Sequence, residues 1–376
     1  MNYLRIFFAV LAALFAIVAC FNALVDPFDV FGAPIHARFN DVKSPGNERF
    51  YKPLQLSARA PKTVFLGSSR VMIALDPDAV PALDAYNMGI SAATIVEEMA
   101  FARHAMADAP VKLLLLGLDF VDFNDHVEAS EASRIGQLGP YLIPRSLPQL
   151  LISEQALVRS RGTVFESRRG AENDHRRNGF VVYPLHATME PVRTRELHVE
   201  VQRYLRLNHE ITEFGRSMAD LDLLLQEAGT KGVRVIAFVP PSHAVLMHTL
   251  WVDGSADLYE RWLRALTAVC AKHDAPLWDF SGFHPLTTAP VAESFGTFYD
   301  GSHALPSVGN QMLLAMTAGR SEPGIGERLS AANIDAHLQA LRSGHDAWLD
   351  GHGSEWSDLL QQLGASPASL QPEGLP

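Results

Sequence analysis

The amino-acid sequence predicts a doubly wound α/β domain with a mainly parallel sheet, carried behind one N-terminal transmembrane helix. Three observations lead there. Short apolar runs at 63–67, 85–89, 112–117, 233–239 and 277–280 alternate with helical patterns, and strands separated by helices of roughly 10–15 residues indicate parallel βαβ units. A further apolar run lies near the start of the chain, where Asn22 is the one strongly polar side chain between Ile6 and Val25. Finally, 48% hydrophobic and 19% charged residues are too apolar a mixture for a disordered chain and too polar for a multi-span membrane protein. The 42 acidic against 31 basic side chains give a net charge of −11, which argues against a general nucleic-acid binder.

Residues 1–26 form the expected anchor. Twenty helical residues rise about 30 Å, one bilayer core. Arg5 precedes the run and Asp26 and Asp29 follow it, so the N-terminus is expected in the cytoplasm and the body beyond the bacterial inner membrane, in the periplasm or outside the cell. A cleaved signal peptide is an alternative. So is a lipoprotein signal, because Ile17-Val18-Ala19-Cys20 looks like a lipobox. The apolar run continues past Cys20 to Val25, which favours an uncleaved anchor. The two cysteines, Cys20 and Cys270, make no disulfide framework, and no Cys-x-x-Cys spacing suggests zinc.

Residues 27–62, rich in Pro, Gly and basic side chains, read as a juxtamembrane connector. The α/β domain covers 63–320, with helices expected near Thr94–Ala107, Ile211–Glu227, Leu258–Lys272 and Pro306–Ala318. Residues 159–206 hold ten arginines against six acids. They read as an inserted segment, either a solvated loop or a surface for anionic glycan or lipid headgroups. The tail, 321–376, carries eight acids and two arginines. Helices are expected near Ala331–Arg342 and Glu355–Leu363, followed by a disordered Pro/Ser/Gly end.

Two short motifs carry chemistry. The first strand runs into Gly67-Ser68-Ser69-Arg70, a small turn at the carboxyl edge of the sheet, where open α/β folds bind ligands. Near the end of the domain stands Tyr299-Asp300-Gly301-Ser302-His303. An Asp three residues before a His can fix the imidazole tautomer and leave the other nitrogen to accept a serine proton. Arg70 either binds an anionic group beside the serine or caps the following helix. His243 follows a strand, so it reads either as a cleft-lining residue or as a satisfied loop histidine. Trp251, Tyr259 and Trp262 are a sugar-stacking platform or, at helical spacing, packing residues.

Together these motifs, with βαβ units between them, resemble the SGNH (GDSL-like) hydrolase superfamily over the domain at 63–320. The resemblance implies a flavodoxin-like three-layer fold, Ser69 as nucleophile, His303 as general base and Asp300 as its orienter. It makes Asn87-Met88-Gly89-Ile90-Ser91 the glycine block, with the Gly89 and Ser69 amides as oxyanion donors. Gly117-Leu118-Asp119-Phe120 takes the place of the Gly-x-Asn-Asp block. Asp119 departs from that pattern, since an ionised carboxylate repels developing negative charge where an Asn amide would stabilise it. Arg70, Asn87 and His243 are the candidate substrate-binding residues.

The anchor and the Gly-Ser-Ser turn are also similar to those of the alginate O-acetylation proteins and the D-alanyl transfer protein of teichoic acids. This narrower resemblance implies a serine acyltransferase or esterase acting on O-acyl groups, acetyl above all, of a cell-envelope polysaccharide, with a membrane-bound O-acyltransferase as partner. No metal or organic cofactor is implied. The alternatives are a broad-specificity envelope esterase or lipase, and a non-catalytic component of a polysaccharide modification or assembly complex.

Overall fold

The computed structural model describes residues 2–126, 136–183, 192–290, 296–319 and 324–362. Its centre is a six-stranded sheet of β1 (Thr63–Leu66), β2 (Ala85–Asn87), β3 (Leu113–Gly117), β4 (Arg234–Val239), β5 (Leu277–Asp279) and β6 (Glu327–Leu329). The strand order is 2-1-3-4-5-6. The first five strands pair in parallel, and β6 closes one edge antiparallel to β5. The near-continuous apolar sequences of β1, β3 and β4 reflect burial of both faces.

Alternate residues enter different cores, as the two-residue strand period requires. Val64, Leu66, Leu114, Leu116, Val235, Ala237 and Leu277 join one apolar cluster. Phe65, Leu115, Ile236, Phe238 and Trp278 join the other. The first face is covered by α4 (Ile95–Asp108), α8 (Gly215–Thr230), α10 (Ala256–Lys272) and the start of α12 (Ile334–Gln362); the second by α3 (Ser69–Ala74) and α11 (Pro306–Ala318). Helix α4 starts where Thr94 and Glu97 form a reciprocal capping box.

Helix α1 (Asn2–Val25) is long and apolar enough to cross a membrane, with a mean hydropathy of 2.6 in its most apolar window and none of that window buried. Residues 27–62 are more than a connector. They contain α2 (Glu48–Arg59), which buries Phe50, Tyr51, Leu54 and Leu56 and packs on α4 and on α5 (Leu142–Ile152).

The arginine-rich segment 159–206 is largely helical, comprising most of α6 (Glu154–Arg169) and α7 (Val192–Glu210). The buried stripe of α6 is Ala156, Ser160, Thr163 and Ser167, a helical period drawn in small and hydroxylated residues rather than large apolar ones. Its hydroxyls meet the loop before α2: Val42 N–H donates to Ser167 Oγ at 3.0 Å and Ser44 N–H to Thr163 Oγ1 at 3.2 Å. Helix α7 buries Leu197, Val201 and Leu205 with Ala244, Val245 and Leu246 of α9 (Ala244–Val252).

The tail supplies β6 and then one continuous α12 in place of the two expected helices. The chain end expected to be disordered, 363–376, lies outside the described residues. Trp262 and Tyr259 are core residues, and Trp251 stacks on His345 at 3.9 Å, so these rings form no exposed sugar platform.

His337 fastens α12 to the sheet edge, bridging Asp279 Oδ2 at 2.8 Å and Glu327 Oε2 at 2.9 Å. Burial opposes its charge, but the bond and charge of Asp279, then of Glu327, outweigh it and raise the imidazole pKa to about 9. Because the folded value exceeds the unfolded one, near 6.5, the stabilisation is complete below about pH 6.5 and is lost as pH rises through about 9. We therefore expect wild type to unfold at a higher temperature than His337→Ala at pH 6, and the gap to shrink steadily by pH 9.5 in paired melting curves.

Candidate functional site

The carboxyl edge of the sheet gathers the loops that matter. β1 runs into Gly67, whose φ of +146° is a conformation that L side chains rarely adopt, and where an added Cβ would collide with the Val71 side chain. Ser68 then caps α3, which places Ser69 at the first helical position. There its N–H has no intrahelical acceptor. From the other end of the chain, a narrow loop pairs Phe298 with Ala304 and closes with Tyr299 N–H donating to His303 O at 2.8 Å. Asp300 and His303 sit on its tip.

Ser69 Oγ lies 2.8 Å from His303 Nε2, and His303 Nδ1 lies 2.7 Å from Asp300 Oδ2. The other Asp300 oxygen accepts the backbone N–H groups of Ser302 and His303, both at 2.8 Å. Burial disfavours the Asp300 charge, yet these bonds and His303 hold its pKa below the usual carboxylate value. Burial likewise disfavours the imidazolium, but Asp300, with help from Glu200, raises the His303 pKa above its ordinary value. Ser69 is half-buried and therefore reachable. A hydroxyl, an imidazole that can take its proton and a carboxylate that orients the imidazole form a nucleophile–base–orienter set.

Beside this trio the structure departs from the expected roles. Gly89 N–H donates to Asn87 Oδ1 at 2.9 Å, so this amide is committed to the fold and not free for an oxyanion. A Cβ at Gly89 would come within 2.6 Å of Met72 N, so the glycine permits close approach of this turn to α3. Asn87 is fully buried and donates to Val71 O at 2.9 Å and Leu75 O at 2.8 Å; it shapes the turn rather than meeting a substrate. His243 caps α9, bonds Ala289 O at 2.8 Å and is buried, which pushes its pKa down to about 4. It is buried rather than presented to solvent, and its backbone N–H donates to Gly301 O at 2.8 Å and steadies the Asp300–His303 loop.

Asp119 is no oxyanion donor, and Arg70 is no free anion site. Their side chains form a buried ion pair. Asp119 Oδ2 also accepts the Ser68 hydroxyl at 2.7 Å. Arg70 further donates to Pro240 O and Ser242 Oγ, both at 2.9 Å, and through Nε to Ser302 O at 3.2 Å. Burial opposes the guanidinium charge, but Asp119 outweighs it and the pKa rises. Of the three expected oxyanion donors, the Ser69 amide alone is uncommitted among the described residues.

Four contributors were not foreseen. Glu200 on α7 accepts the Ser302 hydroxyl at 2.8 Å. Tyr183 lies nearly parallel to the His303 ring, 6.1 Å between centroids, and 5.0 Å from Tyr299. Lys52 on α2 is fully buried, donating to Gly89 O at 2.6 Å, Gly179 O at 2.9 Å and Asn87 O at 3.2 Å; burial lowers its pKa to about 7. Only the two-position spacing of Ser302 from Asp300 was a visible signal; Glu200, Tyr183 and Lys52 arrive from distant segments. Among the described residues no group of three or more His, Cys, Asp or Glu side chains is placed to hold a metal ion.

Removing one partner of a buried ion pair leaves a stranded charge, so Asp119→Ala should cost about 3–5 kcal/mol of stability. Lys62→Ala, which breaks the exposed 3.8 Å pair with Asp84, should cost less than about 1 kcal/mol. Chemical denaturation of the two variants checks both values. No protein-family model matches this chain, and no curated protein or solved structure is significantly similar to it.

Proposed function

We propose that this chain is a membrane-anchored, extracytoplasmic serine acyltransferase or esterase of the SGNH type that moves or removes acetyl or a similarly small acyl group on a cell-envelope polysaccharide. The observation that carries this reading is the Ser69–His303–Asp300 chain of hydrogen bonds at 2.8 and 2.7 Å, closed between segments 234 positions apart. The parallel strand order 2-1-3-4-5 supports it, because flavodoxin-like sheets have that order and bind ligands outside their carboxyl ends.

In the proposed reaction Ser69 Oγ attacks the acyl carbonyl while its proton passes to His303 Nε2. The Ser69 amide donates to the oxyanion. Collapse expels the donor alcohol, which takes the proton from His303, and leaves an acyl-Ser69 ester. His303 then deprotonates a sugar hydroxyl or water, which attacks the ester and regenerates Ser69. Losing one oxyanion donor typically costs ~10²–10³ in rate. A site with a single uncommitted amide therefore fits slow acyl chemistry, whether a sugar hydroxyl or water is the acceptor. The same observation favours a second reading, a non-catalytic component of an envelope polysaccharide complex that retains the fold.

A fluorophosphonate probe separates the two. The enzyme reading expects labelling of wild type, none of Ser69→Ala, and labelling slowed on the order of 10³-fold in His303→Ala. The non-catalytic reading expects equal, negligible labelling of all three. Turnover of an activated acetyl ester should rise with pH through a midpoint above 6.5, because the neutral imidazole is the base and Asp300 raises its pKa. Asp300→Asn should lower the rate by about 10³–10⁴ and shift that midpoint down.

A further inference from the structure

Apart from the site, the most distinctive surface lies at the base of α1. Seven of the ten large apolar side chains exposed outside α1, among the described residues, fall within 31–35 or 141–165. They include Leu147 and Ile152 on α5 and Val158 and Phe165 on α6, the last two more than half exposed. Both helices pack against α1. A groove beside Phe21 of α1 is walled by Val158, Arg161, Gly162, Phe165 and Arg168. Val158, Arg161, Phe165 and Arg168 follow one another at three- and four-residue steps, so apolar and cationic side chains alternate along one helical stripe.

Arg161 and Arg168 are exposed and form no ion pair among the described residues. Arg169 lies over the Phe165 ring at 5.3 Å. Arginines beside large apolar side chains can lay their stems along the apolar surface and carry their charge to lipid headgroups.

The join between α1 and the body fixes where this stripe stands. Lys43 Nζ donates to Val25 O at 3.0 Å and Asp26 O at 2.8 Å, capping the last turn of α1 from outside. Asn22 Nδ2 donates to Leu151 O at 2.8 Å, and Asn40 Nδ2 to Leu24 O at 3.3 Å. The Asp26 carboxylate accepts the N–H groups of Val30 and Phe31 at 2.9 and 3.0 Å. The helix therefore enters the body through a bonded joint instead of a loose tether. Phe21 is four residues from the end of α1, about 6 Å along the axis. Lipid surrounding α1 up to its exit would touch the groove at headgroup height.

We propose that the α5–α6 face beside α1 is a membrane-interface surface, with Val158 and Phe165 immersed among lipid chains at the headgroup boundary and Arg161 and Arg168 bound to anionic phospholipid headgroups. The proposal goes beyond the acyl chemistry and does not rest on it. It commits the patch to the bilayer because the face is continuous with the exposed surface of α1 and because exposed, unpaired arginines can bind lipid phosphates.

The test uses the full chain in nanodiscs of phosphatidylcholine, alone or with phosphatidylglycerol. An environment-sensitive fluorophore is attached at Phe165→Cys in a Cys20→Ser background, Cys270 being buried. A label at Leu223→Cys, exposed on α8, serves as control. We expect the emission at 165 to be blue-shifted and quenched by spin-labelled lipid at least about twofold more than at 223. Phosphatidylglycerol should strengthen the quenching, and Arg161→Glu with Arg168→Glu should abolish that gain. A label at 165 that is solvent-like and unquenched in both discs overturns the proposal, whether the true occupant is a protein partner, a second copy or nothing. Val158→Cys carries the same expectation and replaces the first variant if that one fails to fold.

Discussion

The Arg70 guanidinium is the constraint on which the site depends. It sits one residue after Ser69 and binds the loop after β3 through Asp119, the loop after β4 through Pro240 O and Ser242, and the late loop through Ser302 O. A buried charge is tolerated only when it is paired and its donors are met. Every one of those loops must therefore be in place before the guanidinium is satisfied, and the same condition brings His303 to Ser69. This also accounts for an aspartate at 119, where an amide would not neutralise Arg70. The position serves the scaffold, and under the proposed chemistry the oxyanion falls to the Ser69 amide.

The N-terminal region is joined to the same framework. Lys52, from a helix between the apolar N-terminal segment and the first strand, holds the carbonyls of the Asn87–Gly89 turn, and Lys43 caps the end of α1. Helix α2 itself bonds the chain just after α1, since Gln55 Nε2 donates to Phe28 O at 2.7 Å and Arg59 pairs with Asp29 at 2.6 Å, so it touches both the base of α1 and the glycine turn.

Much of this was legible in the sequence, and the exceptions have common causes. The five parallel strands announce themselves because burial on both faces demands unbroken apolar runs, as in Leu113–Gly117. Helix α11 spans Pro306–Ala318 as expected, since Pro at its first position and Gly319 just past its end mark both limits. Helix α6 escaped because hydroxyls, not leucines, form its buried stripe. Strand β6 escaped because its three residues include exposed Glu327 and Arg328, an edge strand with little apolar signal. The Ser69, Asp300 and His303 motifs were visible because each is local. The commitments of Gly89, Asn87, His243 and Arg70 to the fold are long-range hydrogen bonds and burial, which spacing along the chain does not encode.

The most direct measurement is to locate the acyl group left on the protein after brief exposure to an activated acetyl ester and acid quench, by peptide mass spectrometry. The account predicts one acetyl group on Ser69, accumulating before steady turnover and exchanged by added oligosaccharide acceptor. Acetylation confined to surface lysines or to Ser68, or turnover that continues with Ser69 unmodified and replaceable by alanine, would contradict it.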